Sequence, residues 1–298
     1  MGVIVKRDLV PARKPGMHFN VPMEEYLRWD AVGSSTLEAI HRSPAHARFW
    51  QEHDEIKEDT TGAKAWGTAL HIACLEPTRW DTAVAVLPAT YNGRKKDDQA
   101  FREQLEATHE VVLKFEAAQE VLQAAQVVRS HRSAGALLAA DGPVEVSVVV
   151  KDPLTGQLLK CRPDKLIPSR GVLLDWKTTR MESQRLFTKQ AFDLGYDRKV
   201  SFYLKCLNLL RELSPAPEYR MGAIVAVQND QPFETCVYAV RGETLSVAEV
   251  SWRKDLEIWA RCRETGVYPA FDEAVQLLDL PDWAKKMRLA DAGAEGNA

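Results

Sequence analysis

The residue that most constrains this chain is Asp175. It follows Val172-Leu173-Leu174 in the run VLLDWKTT. An apolar start of that kind reads as a central strand buried on both faces. A carboxylate placed there is costly unless an ion pair or a metal compensates it. Lys177 stands two residues on, so a strand projects it from the same face. A second acid lies upstream in Arg162-Pro163-Asp164, separated from Asp175 by the turn Pro168-Ser169-Arg170-Gly171. Neighbouring antiparallel strands bring two such acids close together. Two readings fit. An Asp–Lys ion pair closing a sheet edge is the plain one, and Pro163 alone marks only a strand break. The other is a hard divalent cation held by both acids, with Lys177 placed to orient a water or stabilise charge at a phosphoryl group.

Around these acids the hydrophobic period is two. VEVSVVVKD, LLKCRPDKLI and VLLDWKTT read as three strands of a meander, with DPLTGQ as the first turn. YRMGAIVAVQND and FETCVYAV add two more, and TAVAVLP is a short strand earlier in the chain. Elsewhere the spacing is helical. Ser34-Ser35-Thr36 caps a helix over Leu37 to Phe49, which AHARFWQEH continues after Pro44. Further helices are predicted from Ala65 to before Pro77, over 99–127, from about Ser183 to Leu213, and from Glu243 to about Glu264. YNGRKKDDQA has no apolar period and reads as an exposed loop. The order predicts an α/β (α+β) domain built on a mixed sheet flanked by helices. The absence of a GxGxxG or Walker loop disfavours dinucleotide binding and NTP hydrolysis. Residues 1–30 read as a loosely packed, proline-punctuated arm. Residues 31–288 read as a single domain, helical over 31–140 and sheet-bearing over 141–265. Residues 289–298 read as a disordered tail.

Charge narrows the class of partner. The 298 residues carry a formal net charge of −3, so any affinity for nucleic acid must be local. Residues 177–211 hold eight Lys or Arg against three acids. This stretch can meet a phosphate backbone or be a solvated helix face. Arg94, Lys95 and Lys96 form a second cluster. Arg180 and Arg198 belong to the first stretch as candidate phosphate contacts, and the Thr178 and Thr179 hydroxyls can donate to phosphate near the acids. Trp66, Trp176, Phe202 and Tyr203 can stack on an unpaired base or pack in the core. The five cysteines contain no CxxC pair, which disfavours zinc, iron–sulfur and disulfide frameworks. No apolar run approaches the ~18 residues needed to cross a bilayer, and a cytoplasmic protein is expected. His71, on a helix of small residues, is either satisfied by a backbone carbonyl or a metal ligand. Glu145, on an otherwise apolar strand, either faces solvent or supports the metal or Lys177.

RPD…DWKTT resembles the signature of the PD-(D/E)xK, RecB-like nucleases. More narrowly, the chain resembles the RecE-like (exonuclease VIII) exonucleases of phage recombination over roughly residues 30–265. SSTLEAIHRSPAHARFW is similar to that group's N-terminal helix and GTALHIACLEP to its histidine motif. GRKKDD stands where the group has a basic loop, and GQLLKCRPDKL and LLDWKTT carry its acids and lysine. The resemblance implies a restriction-endonuclease-like core and a magnesium-dependent exonuclease, with Mn²⁺ able to substitute. Such an enzyme degrades one strand of linear double-stranded DNA, 5′ to 3′. His71, Asp164 and Asp175 would hold the metal, and Lys177 would position the water. A ring-like homo-oligomer and a single-strand annealing partner are implied as well. One position departs from the pattern. The group carries Q-x-x-x-Y on the helix after the lysine; here GYDRKVSFYLKCL matches the tyrosine with Tyr203 but has Lys199 at the glutamine. Lys199 is expected to contact phosphate or, with Glu145 and Tyr203, to support the centre. An endonuclease of the same fold and a non-catalytic DNA-binding or assembly protein are the alternatives.

Overall fold

A four-stranded sheet separates two hydrophobic layers, and Asp175 lies on one of its interior strands. The structure, a computed structural model, describes residues 3–56, 62–180, 183–213, 215–272 and 274–291. From residue 292 the expected tail lies outside the described residues, while 289–291 close a helix, Asp282–Asp291.

The N-terminal part supplies a short strand β1 (Gly16–His18) and helices α1 (Met23–Arg28), α2 (Ser34–Arg42), α3 (Gly62–Leu75) and α4 (Phe115–Ser130). The expected helix after Ser34 is two helices, because Pro44 starts a new one, Pro44–Glu52. Proline has no N–H to donate but suits a first helical turn. The stretch 99–127 is also divided: a three-residue strand, Val111–Leu113, pairs with Val84–Val86 between Lys96–Glu106 and α4.

The sheet-bearing part carries β2 (Ser147–Lys151), β3 (Leu158–Cys161), β4 (Lys165–Ile167), β5 (Val172–Thr179), β6 (Met221–Gln228) and β7 (Thr235–Val240). Strand order in the main sheet is β4-β5-β6-β7, with only the β5–β6 pair parallel. A mixed sheet is thus observed, as expected. The meander differs in detail. LLKCRPDKLI is two strands: β3 pairs with β2, and β4 pairs with β5. The break falls on Arg162-Pro163-Asp164, where Pro163 cannot donate to a ladder. VEVSVVVKD loses its first residues, since Val144 makes only an isolated bridge to Lys165.

The β5–β6 crossover passes through Gln184–Asp193 and α5 (Tyr196–Leu209). The single helical run expected there breaks at Gly195, whose φ of +63° glycine adopts without strain. The last long helix is α6 (Glu243–Thr265). On one face of the sheet, Leu173, Ile224 and Ala226 pack with Val200 and Phe202 of α5 and Trp252 of α6. On the other, Val172, Leu174, Trp176 and Val225 pack with Leu70 and Ala73 of α3 and Val121 of α4. Helix α5 lies so close to β6 that a Cβ on Gly222 would stand 2.2 Å from Val200 Cγ1. This contact fixes the height of α5, and of everything it carries, above the sheet.

The first thirty residues are more firmly attached than their composition suggests. β1 pairs with β2, and Val21, Tyr26 and Trp29 form a small core with Val149. Lys160, buried on β3, donates to the carbonyls of Tyr26, Leu27 and Trp29 at 2.9, 3.1 and 2.8 Å. Burial holds its ammonium pKa down at about 8. Lys160→Met should leave three carbonyls unpaired and destabilise the fold by about 1–3 kcal/mol. An unchanged midpoint in chemical denaturation would remove Lys160 from the attachment. Among the described residues no helix is long and apolar enough to cross a membrane.

Candidate active site

Four elements converge on the acids. β5 carries Asp175 and Lys177 on the face shared with Leu173, beneath α5. The turn between β3 and β4 carries Asp164. The approach to β2 carries Glu145, and α3 brings His71 from the opposite layer. Arg162 anchors the turn: its Nε and Nη2 donate to Ser147 Oγ at 2.9 and 2.6 Å, and Nη2 also donates to Val21 O. Asp164 is then fixed from two sides. The Trp176 amide donates to its Oδ2, and its own carbonyl accepts from the Glu145 amide at 3.1 Å.

Glu145 has φ +53°, a left-handed conformation that non-glycine residues adopt at a cost. That backbone aims its carboxylate inward, where Oε1 lies 3.2 Å from His71 Nε2. Asp164 Oδ1 lies 4.0 Å from the same nitrogen. Burial alone would lower the His71 pKa. The hydrogen bond it donates to Glu145 and the charges of Asp164 and Glu145 outweigh it and raise the imidazole above its ordinary value. Ligand atoms of His71, Glu145 and Asp164 all lie within 4.8 Å of one another. Two carboxylates and an imidazole at that separation suit a divalent cation, since the acids repel each other without one.

Asp175 stands beside this group rather than in it. Its side chain is 2% exposed. Lys177 donates to Oδ2 and Lys199 to Oδ1, the latter at 2.5 Å. Burial pushes its pKa up, but the charges of Lys199 and Lys177 prevail and hold it at about 2. Lys199 is shifted the other way. Burial alone would lower its pKa, but Asp175 outweighs that and holds the ammonium well above its usual value. Both ammonium groups lie over aromatic rings, Lys177 over Tyr196 at 4.8 Å and Lys199 over Tyr203 at 5.2 Å. Tyr203 is buried, and burial chiefly pushes its hydroxyl up to about 12.

A cavity of about 550 Å³ opens on this side, lined by Gly33, Ser34, Lys160, Lys177, Tyr196 and Lys199 among others. A larger hollow of about 1120 Å³ lies around Leu87–Gly93 and contains none of these acids.

The structure thus brings His71, Asp164, Asp175, Lys177, Glu145, Lys199 and Tyr203 into one neighbourhood. The expected DNA contacts divide. Arg94, Lys95, Lys96 and Arg180 are exposed, and Thr178 is half-buried. Thr179 is buried and donates to Gln190 Oε1 at 3.2 Å. Arg198 is the correction. It is 8% exposed and bonds Asp255 at 2.5 Å, Glu38 at 2.8 Å and Ser251 at 2.6 Å, so it ties α5 to α2 and α6 instead of facing phosphate. Much of the basic excess over 177–211 is similarly engaged: Lys205 pairs with Glu249, Lys189 with Asp193, and Lys177 and Lys199 with Asp175. Tyr196 is the site residue that sequence reasoning missed. Its only signal is its place three residues before Lys199 on one helix face.

A family model described as a PDDEXK-like domain of unknown function (DUF3799) matches residues 33–281. No curated protein matches the sequence. A crystal structure of a Eubacterium rectale protein, provisionally named an exonuclease, is similar at a TM-score of 0.55 and 12% identity, covering 91% of this chain and 98% of that one. At that identity the likeness speaks for the fold. The structure of SSO0001 gives a TM-score of 0.29 at 12% identity over 63% of this chain and 84% of its own, too low to carry an argument.

Proposed function

This chain belongs to the PDDEXK-like family DUF3799, and from that membership we propose that it is a divalent-metal-dependent deoxyribonuclease. The observation that carries the reading is the convergence of His71, Glu145 and Asp164 from three elements beside the Asp175–Lys177 pair of a fourth. A DNA end is the substrate the reading assigns, and the reaction is hydrolysis of a phosphodiester bond.

Charge supports the need for a cation. Glu145, Asp164 and Asp175 face Lys177 and Lys199, so once His71 gives up its proton to serve as a ligand the centre is one charge negative. A phosphodiester would be repelled. His71, Glu145 and Asp164 would hold Mg²⁺ or Mn²⁺, and Asp175 would lie beside it with its charge set by Lys177 and Lys199. When bound, the cation supplies a Lewis acid for the phosphoryl oxygens and lowers the pKa of a water. Lys177 donates hydrogen bonds to the attacking water or to the developing negative charge. Its place over the Tyr196 ring keeps the ammonium at the mouth of the cavity. Arg94, Lys95, Lys96, Thr178 and Arg180 are the proposed backbone contacts, since they are the expected ones that keep accessible surface.

Within that class the reading is exonucleolytic. The chain degrades one strand of linear duplex, 5′ to 3′, as a RecE-like, ring-forming homo-oligomer that hands single strand to an annealing protein. The motif order SSTLEAIHRSPAHARFW, GTALHIACLEP, RPD and DWKTT supports it.

End-labelled linear duplex and a covalently closed circle, each incubated with Mg²⁺ and with EDTA, test the proposal. Mg²⁺ should release label from the 5′ ends of linear DNA and leave the circle intact, and EDTA should stop the reaction. Cleavage of the circle would make the enzyme an endonuclease. Undiminished degradation in EDTA would remove the metal from the mechanism.

A further inference from the structure

We propose that Lys199 takes the place a second divalent cation would occupy, so that this centre binds and uses one metal ion per chain. The inference rests on the nuclease reading and deepens it.

Two-metal phosphodiester hydrolysis needs carboxylate oxygens that reach both ions, which stand ~3.5–4 Å apart. Of the three carboxylates, Glu145 turns Oε1 to His71 on the side away from Lys199, and those on β5 and on the turn before β4 each have one oxygen already taken. Asp164 Oδ2 accepts the Trp176 amide, leaving Oδ1 toward His71. Asp175 Oδ1 accepts Lys199 at 2.5 Å, leaving only the oxygen that Lys177 holds. Neither acid has a second free oxygen to share.

The Lys199 ammonium is built in. It comes from α5, a different element from Lys177, and its side chain is 26% exposed. It lies 5.2 Å from the centroid of the buried Tyr203 ring. The Gly222–Val200 contact sets the height of its helix one residue away. A lysine on a solvated helix face would have none of these constraints. An ammonium is a compact point charge with three donors, able to neutralise a carboxylate where a hydrated cation would otherwise sit.

Charge points the same way. With His71 neutral, one divalent cation beside Lys177 and Lys199 leaves a single positive charge against the three carboxylates, which matches one phosphodiester. A second divalent cation would add two more positive charges within a few ångströms of Lys199, with no additional acid to screen them.

Calorimetric titration of the full-length protein with Mn²⁺ alone tests this. The wild type should bind one ion per chain. Lys199→Gln should bind two, or show a second site at least tenfold tighter than any in the wild type, and Lys199→Arg should again bind one. Two ions of comparable affinity in the wild type, or a Lys199→Gln titration identical to wild type, would overturn the role of Lys199 and leave the nuclease reading standing. A wild type that binds no Mn²⁺ would sink both. If Lys199→Gln does not fold, the wild-type count and the Mn²⁺ dependence of single-turnover cleavage decide. A Hill coefficient near one is expected, and one near two overturns the proposal.

Discussion

Asp164→Asn is expected to reduce metal-dependent degradation of linear duplex by roughly a thousandfold or more, from several kcal/mol of lost Lewis-acid stabilisation at about 1.4 kcal/mol per tenfold. The substitution is nearly isosteric and keeps an oxygen to accept the Trp176 amide. It removes one of the two carboxylates that lie beside His71. The loss should therefore appear in single-turnover cleavage and in Mn²⁺ affinity, with little change in the denaturation midpoint. A variant that keeps a tenth of wild-type activity would take Asp164 out of the ligand set. A collapse of the midpoint would instead assign the residue to holding the turn between β3 and β4.

Asp175→Ala should behave differently, because this acid belongs to an ion triad. Removing it leaves Lys177 and Lys199 facing each other in a largely buried place. Breaking a buried pair from one side typically destabilises by about 3–5 kcal/mol. The alanine variant should lose both cleavage and stability. Adding Lys199→Met removes one of the two orphaned charges and should recover part of the stability without any activity, a coupling that a double-mutant cycle reads directly. Equal stability losses in the single and double variants would mean that the two residues do not act as a pair. The pH dependence has a definite sign. The Asp175 pKa falls from 3.8 to about 2 on folding. Its stabilisation is complete above the ordinary carboxylate value and fades as pH drops through that window.

The parts of this centre that were legible in the sequence are those fixed by local rules. An acid inside VLLDWKTT needs compensation wherever the strand goes, and the strand has the expected bounds, Val172–Thr179. The two-residue spacing of Asp175 and Lys177 put both on one face. His71 was visible only through the motif around it, since a histidine on a small-residue helix fits a purely structural role equally well. What stayed hidden depends on backbone geometry or on distant partners. Nothing in VEVSVVV announces that Glu145 adopts φ +53° and turns inward. Arg198 looked like a phosphate contact because Asp255, which neutralises it, lies on α6, 57 residues away. Lys199 and Lys205 occupy one basic stretch, yet one lies on a buried carboxylate and the other pairs with Glu249 at the periphery. Charge counted along a helix does not say which way each residue points. The strand Val111–Leu113 was hidden for another reason: three residues are too few to interrupt a helical period.

The pairing of β1 with β2 bears on how the protein can be handled. A shortened chain starting at residue 31 would keep every acid and lysine of the centre. It would also strip Gly16–His18 from the side of Ser147–Lys151 and uncover the peptide groups of SVVVK. An unpaired valine-rich border of that kind recruits other chains. The first thirty residues therefore act as a shield against clumping, and trimming them as dispensable should yield insoluble material before any loss of catalysis could be measured.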